Sequence, residues 1–547
     1  MIPKTVVLCT DIFDEFMDSN HLWETALSDI PDEEILSAFL AAQLPDKLRD
    51  DCDAFIDATR SPIAIRSSSL LEDSHYQPFA GVYSTYMIPF SHDRKLMLGN
   101  LAKAIKSVYA SVYYRDSKAY MTATQNVIDQ EKMAVILQEV VGQQYRDHYY
   151  PNISGVLRSL NYYPIGDERP EEGIASLALG LGKYIVDGGQ TLRVSPYHPA
   201  QVLQMSEMEI ALRQTQTQFY AIEMPTSVAD NANGSDTLTF SVDDGFNIKR
   251  RMVKDADEDG SLTYIASTFD PYDQVIRPGI YEGGRKIISM NGVLEQGVFP
   301  LPELMQLSLN LGENEMRRPV EIEMACNIHP DKTGEFYLLQ IRPIVDSKQE
   351  LDENLLNIPD DSCLLRSHNS LGHGIIEGIR DVVYVKVDEN FSASNNSLIA
   401  DEIERINRGF LASGDSYILI GPGRWGSSDS WLGIPVKWPH ISASKLIVEE
   451  ILPNYFVDPS QGTHFFQNLT SLGVGYFTID VNHDRRGNPV QPDMQYEQGE
   501  LEILRRQYLD SLPAVTETDF VRHVKLPETY TIKMDGMKQE GIVYKTI

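Results

Sequence analysis

The stretch PVEIEMACNIHPDKTGEFYLLQIRPI, residues 319–344, constrains the fold more than any other part of this chain. Two runs of alternating character flank HPDKTGE, a segment rich in turn-forming residues. In a strand, alternate side chains share a face. Val320, Ile322 and Met324 therefore point one way, and Glu321 and Glu323 the other. Leu339 and Ile341 share one face of the second run, and Gln340 and Arg342 the opposite one. Antiparallel pairing about the turn sets Glu323 opposite Gln340 and Glu321 opposite Arg342. Two carboxylates, an amide oxygen and a guanidinium then converge. Such oxygens suit Mg²⁺ shared with substrate phosphates, and the arginine fork suits the phosphates themselves. An exposed amphipathic hairpin with a cross-strand ion pair fits the same pattern. Periodicity alone leaves both open.

A chain of 547 residues, 42% hydrophobic and 23% charged, reads as globular with two to four domains. Its net charge of −32 is spread along the chain, which argues against nucleic acid and anionic membranes as partners. An anionic ligand needs a local basic pocket or a metal. Cys9, Cys52, Cys326 and Cys363 are far apart, so neither a zinc cage nor a disulfide framework is expected, and a cytoplasmic setting is. No run approaches the roughly 18 apolar residues of a membrane helix. The opening MIPKTVVLCTDIFDEF does not read as a signal peptide.

Along the chain, a strand at 5–9 precedes acidic, helix-rich sequence, and 95–125 carries helical periodicity. KMAVILQEVV reads as a fully buried strand and PLPELMQLSLNLGENEM as a helix. DSKQELDENLLNIPDDS is a charged linker. Beyond it, DVVYVKV, SYILIGP and GVGYFTI read as strands of a second α/β pattern, and 500–509 as a helix. DADEDGSLTYIA opens like a calcium loop but has Ala266 where a bidentate Glu is needed, so a hairpin turn is expected. His368 and His373 have no acidic partner nearby in sequence and make a poor metal pair. GPGRWGSSDSWLGIPVKW reads either as a turn capped by Trp425, Trp431 and Trp438 or as a phosphate site with Arg424 as anion clamp. His464, in SQGTHFFQNLTSLGVGYF, reads as a core histidine, a metal ligand or a phosphate carrier.

SPIAIRSSSLLED followed by FAGVYSTYMIP resembles a signature of the pyruvate phosphate dikinase and phosphoenolpyruvate synthase family, in its ATP-grasp nucleotide domain. ISGVLRS, GLGKYIVDGG and YLLQIRPI continue the likeness, in family order, over roughly 1–345. The resemblance implies an α/β (α+β) fold with an ATP-grasp domain at 1–345, a linker at 346–363, a smaller swivelling domain at 364–480, and an extension at 481–547. It implies that Arg66 and Arg342 meet ATP phosphates, that Glu321 belongs to the acidic strand, and that Glu323 and Gln340 hold Mg²⁺. Gly81 falls in the loop closing over the phosphates, where a missing Cβ allows close approach. The family's Gly-Gly-Lys loop precedes an "IP…F" strand, and this chain begins at that strand: either a preceding piece is missing or the site works without that lysine, with Lys183 as a candidate for the charge.

SQGTHFFQNLTSLG resembles the family's phosphohistidine motif, implying that His464 carries a phosphoryl group. The pyruvate-binding barrel has no counterpart here. The expectation is an ATP-dependent phosphotransferase of the phosphoenolpyruvate synthase type, its acceptor a small molecule or a partner protein carrying the missing module. The chain itself is expected as a possible homodimer. The rival is a non-catalytic ATP-binding sensor or scaffold.

Overall fold

The computed structural model describes residues 1–69, 81–123, 131–161, 164, 167–225, 238–344, 355–387, 391–427, 429, 431–452, 465, 474–484, 489–491, 494, 496–536 and 538–546. The chain forms two compact units. The first comprises Met1–Ser159, Glu172–Val186 and Gln190–Pro343; the second comprises Leu160–Glu171, Asp187–Gly189 and Ile344–Ile547. Strands and helices mix in both, giving an α+β fold with an additional domain.

In the first unit, a four-stranded antiparallel sheet runs in the order Thr5–Leu8, Met133–Glu139, Ile63–Ser69, Tyr86–Ile88. Helices such as Thr10–Ser19, Asp46–Ala58 and Arg94–Ser111 accompany it. The last starts cleanly because the Asp93 carboxylate accepts from the amides of Lys95 and Leu96. A five-stranded sheet runs Gly334–Pro343, Val320–Ile328, Ile153–Arg158, Ile174–Ala178, Leu192–Val194 and holds the unit's main core. The strand at 133–139 is not fully buried: Ala134 and Ile136 are only half-buried, so its residues alternate.

The hairpin adopts the register its alternation predicts, with Glu321 opposite Arg342 and Glu323 opposite Gln340. A bulge then shifts the pairing so that Met324 faces Leu338. Leu339 is the extra residue, and Leu338 joins Ile341 in the core in its place. The apolar face packs under the helix Leu301–Met316. A Cβ at Gly312 of that helix would lie 2.8 Å from Ile341 Cδ1 and 3.1 Å from Val320 Cγ2. Close helix–sheet approach is thus why a glycine sits mid-helix, where it otherwise destabilises by about 1 kcal/mol.

In the second unit, four mutually parallel strands run Gly475–Ile479, Ser444–Glu450, Tyr417–Pro422, His373–Val385. The sheet continues antiparallel through Val521–Asp535, Glu540–Lys545, Cys363–Ser367 and Ile503–Leu504. The tail thus supplies strands inside the same layer. Residues 500–509 are not one helix: Ile503–Leu504 pairs in the sheet and the helix is Arg506–Ser511. DADEDG is not a hairpin turn either. It ends the helix Val253–Asp259, with Gly260 at φ +75° as its left-handed cap.

Candidate functional site

The strand Ile63–Ser69 buries Ile63, Ile65, Ser67 and Ser69 and leaves Arg66 half-buried on the other face. Gln138 lies on the neighbouring strand, where it is the cross-strand partner of Ala64. Arg66 Nη1 donates to Gln138 Oε1 at 3.2 Å, and Nη2 donates to Glu323 Oε2 at 3.1 Å and, closely, to Gln340 Oε1. From the hairpin, Arg342 Nη2 donates to Glu323 Oε1 and Gln340 Oε1, both at 3.2 Å. Gln138 Nε2 in turn donates to the carbonyl of the bulge residue Leu339 at 3.2 Å. Arg66 and Gln340 lie 274 residues apart in sequence, yet with Glu323 and Arg342 they form one cluster.

Glu321 lies deeper, with its side chain 2% exposed. Its Oε2 accepts from Arg158 Nε at 2.8 Å and lies 2.7 Å from Nη2, while Arg342 Nε is 3.8 Å from its other oxygen. It therefore anchors Arg342 from behind. Arg66 is 20% exposed, Glu323 17% and Arg342 14%, which is not the surface of a solvated amphipathic hairpin. Among the described residues, three guanidiniums and two carboxylates meet here, in a chain of net charge −32. Cys326 on the same hairpin is inert packing, its thiol pushed up by burial.

Lys183 and the segment just after Gly81 meet at Asp244. Gly81 takes φ +70°, a conformation that favours glycine. Four residues on, the Thr85 amide donates to Asp244 Oδ2 at 2.9 Å, and Lys183 Nζ lies 3.4 Å from Asp244 Oδ1. His464 lies outside the described residues. In the Gly-rich loop, Trp425 is buried and donates from Nε1 to the Val448 carbonyl at 3.0 Å, while Trp431 is exposed. Arg424 Nη1 donates to the carbonyls of Gly188 and Gly189 at 3.3 and 3.4 Å. Gly426, at φ +75°, packs against the ring of Phe465. Among the described residues, no group of three or more His, Cys, Asp or Glu side chains is arranged to hold a metal.

Sequence reasoning missed Arg158, Gln138 and Asp244. Gln138 carried a signal, since Ala134, Ile136 and Gln138 alternate onto one face of a strand.

Fold and cluster together describe an α+β domain in which arginines and side-chain oxygens meet on one partly buried face. The chain belongs to the family of the pyruvate phosphate dikinase AMP/ATP-binding domain, whose family model matches residues 1–360. Among curated proteins it is similar to the uncharacterized phosphotransferase YvkC of Bacillus subtilis, 30% identical over 191 residues, 35% of this chain and 20% of that protein. It is also similar to the phosphoenolpyruvate synthase of Aeropyrum pernix, 25% identical over 342 residues, 59% of this chain and 35% of that protein. The matches therefore span at most about a third of those relatives. No helix among the described residues is long and apolar enough to cross a membrane.

Proposed function

We propose that this protein is an ATP-dependent phosphotransferase whose nucleotide site is the Arg66–Glu323–Gln340–Arg342 cluster. One observation carries the reading: two guanidiniums and two side-chain oxygen donors meet on one partly buried face. Arg66 and Arg342 bind the phosphates through bidentate, charge-assisted contacts. Glu321 positions Arg342. Gly81, and Lys183 at the start of the helix Lys183–Val186, are proposed to contribute from the Asp244 side of the domain.

The oxygens fit a magnesium ion that arrives with the nucleotide. Glu323 and Gln340 are cross-strand partners whose oxygens converge on the same two guanidiniums. Glu323 would hold such a cation through its carboxylate and Gln340 through its amide oxygen. When bound, it supplies charge neutralisation on the transferring phosphates. The two arginines orient the phosphate chain and stabilise the charge that develops on it.

On this reading residues 1–345 are the nucleotide domain, 346–363 a linker and 364–480 a phosphohistidine-type swivelling domain. ATP is cleaved to AMP, and His464 passes the phosphoryl group to a small-molecule acceptor or a partner protein. The setting is the cytoplasm. Isothermal titration with Mg·ATP tests the site: the wild type binds, and the Arg66→Met variant binds far more weakly. No binding by the wild type refutes the nucleotide reading. Incubation with β- and γ-labelled ATP then tests the carrier. Acid-labile label is expected on the wild type and not on His464→Ala. Label that persists in His464→Ala removes His464 from the pathway. Binding without any label or turnover makes the protein a sensor.

A further inference from the structure

The second unit has a cleft of about 440 Å³ between the helix Asn396–Ser413 and the strands His373–Val385 and Val521–Asp535. Within it stands a histidine–carboxylate pair that the nucleotide site does not use. His523 Nε2 is 2.8 Å from Asp381 Oδ1, and Lys525 Nζ is 3.6 Å from Asp381 Oδ2. Both members of the dyad are about nine-tenths buried, with side chains 10% and 9% exposed. In the neutral ring that donates from Nε2 to the carboxylate, Nδ1 is left as a hydrogen-bond acceptor. Glu402 takes a close hydrogen bond from the Thr518 hydroxyl and has Arg405 Nη2 at 3.9 Å. Phe410, edge-on to the His523 ring, gives the wall an apolar component.

We propose that this cleft binds a small neutral polyol, a sugar or sugar-like molecule. The volume falls in the range of small-molecule sites. The charges select the class. Each carboxylate of the dyad and of the helix already has a cation beside it, and Asp415 adds a third acid to the lining. A phosphate would face three acids, and an organic cation would face Arg405 and Lys525. Hydroxyl groups satisfy both kinds of partner, donating to carboxylate oxygens and to His523 Nδ1 and accepting from Lys525 and Arg405. Gly409, mid-helix in the lining, borders open space: a Cβ built on it meets nothing within 4 Å.

Saturation-transfer NMR on the full chain tests this, with glycerol, ribose, glucose and myo-inositol as probes. At least one polyol is expected to receive saturation. Gly409→Phe, which fills the cleft, and Asp381→Asn, which unfixes the dyad, are expected to weaken it by about tenfold or more, the loss of one or two charge-assisted hydrogen bonds. Gly409→Ala leaves it unchanged. Where either variant fails to fold, Val515→Arg at the exposed rim closes the same entrance, and it too is expected to lose the signal. Saturation of no polyol, a signal that survives Gly409→Phe or Val515→Arg, or displacement of the polyol by inorganic phosphate or choline overturns the assignment.

Discussion

The buried pair behind the candidate site is open to a direct test. Glu321 and Arg158 are cross-strand neighbours with side chains 2% and 4% exposed, joined through Arg158 Nε and Nη2 to one oxygen. Removing one member takes away the closest opposite charge from the other, which costs up to about 3–5 kcal/mol. Glu321→Gln keeps the shape and one carbonyl acceptor, so the low end, about 3 kcal/mol, is expected. That corresponds to roughly a hundredfold change in a local opening equilibrium. Hydrogen exchange read by mass spectrometry on peptides covering Ile153–Arg158 and Val320–Ile328 measures this opening directly, and those amides are expected to exchange about a hundredfold faster. The paired replacement Arg158→Met with Glu321→Leu removes both charges together. It is expected to return exchange to within about a factor of five of wild type, because apolar pairs of similar volume replace buried ion pairs at little cost. Arg342 keeps Glu323 as a partner in every variant. A change below about threefold in Glu321→Gln, or a double variant whose cost equals the sum of the two single costs, would refute the coupling.

Further outcomes follow from the same geometry. Arg66→Met is expected to weaken Mg·ATP binding by about tenfold to a hundredfold in calorimetry, and Arg66→Lys to recover only part, because a lysine cannot span Gln138, Glu323 and Gln340 at once. Removing divalent metal with EDTA is expected to weaken ATP binding in the wild type and to have much less effect in Glu323→Gln; equal losses in the two proteins would remove Glu323 from the metal. Asp244→Asn is expected to tighten Mg·ATP binding by about threefold to tenfold by withdrawing a negative charge from beside Lys183, and a weakening would count against Lys183. Burial pushes the Glu502 carboxyl up to about 8 from an ordinary 4.5. The folded chain thus holds a proton that the unfolded chain releases, so this contribution to stability is full below about pH 4.5 and is lost as pH rises towards 8. Urea midpoints of the second unit should fall across that window, and Glu502→Gln should flatten the slope.

The parts of the site legible in sequence are those fixed by local periodicity. A period of two and a turn at 329–335 suffice to place Glu321, Glu323, Gln340 and Arg342 on one face, and the pairing follows. Only the bulge escaped, because nothing in the alternation marks Leu339 as the residue without a partner. Arg158 was not legible, since it reaches Glu321 by pairing across 163 residues. Gln138 was obscured by reading an alternating strand as fully buried. Asp244 sits in sequence without a period, and its contact with Lys183 spans 61 residues. At 503–504 tertiary pairing overrode helical spacing: Leu504 faces Leu365 in the sheet, which a helix through that point would forbid.

The charge arrangement also bears on how a chain of −32 could accept a polyanion at all. Glu323 is the partner of both Arg66 and Arg342. A nucleotide phosphate that takes those guanidiniums must displace the carboxylate, which would then stand beside the phosphate as a second anion. ATP alone therefore exchanges one anionic partner for another and adds a repulsion. With a divalent cation present, the released oxygens of Glu323 and Gln340 have a positive partner, and no charge is left unpaired. Glu321, shielded behind Arg342 and held by Arg158, takes no part in the exchange and keeps the arginine from following the phosphate outward. On the proposed nucleotide reading, the hairpin is expected to bind Mg·ATP more tightly than free ATP, because the outer carboxylate is exchangeable and the inner one is fixed.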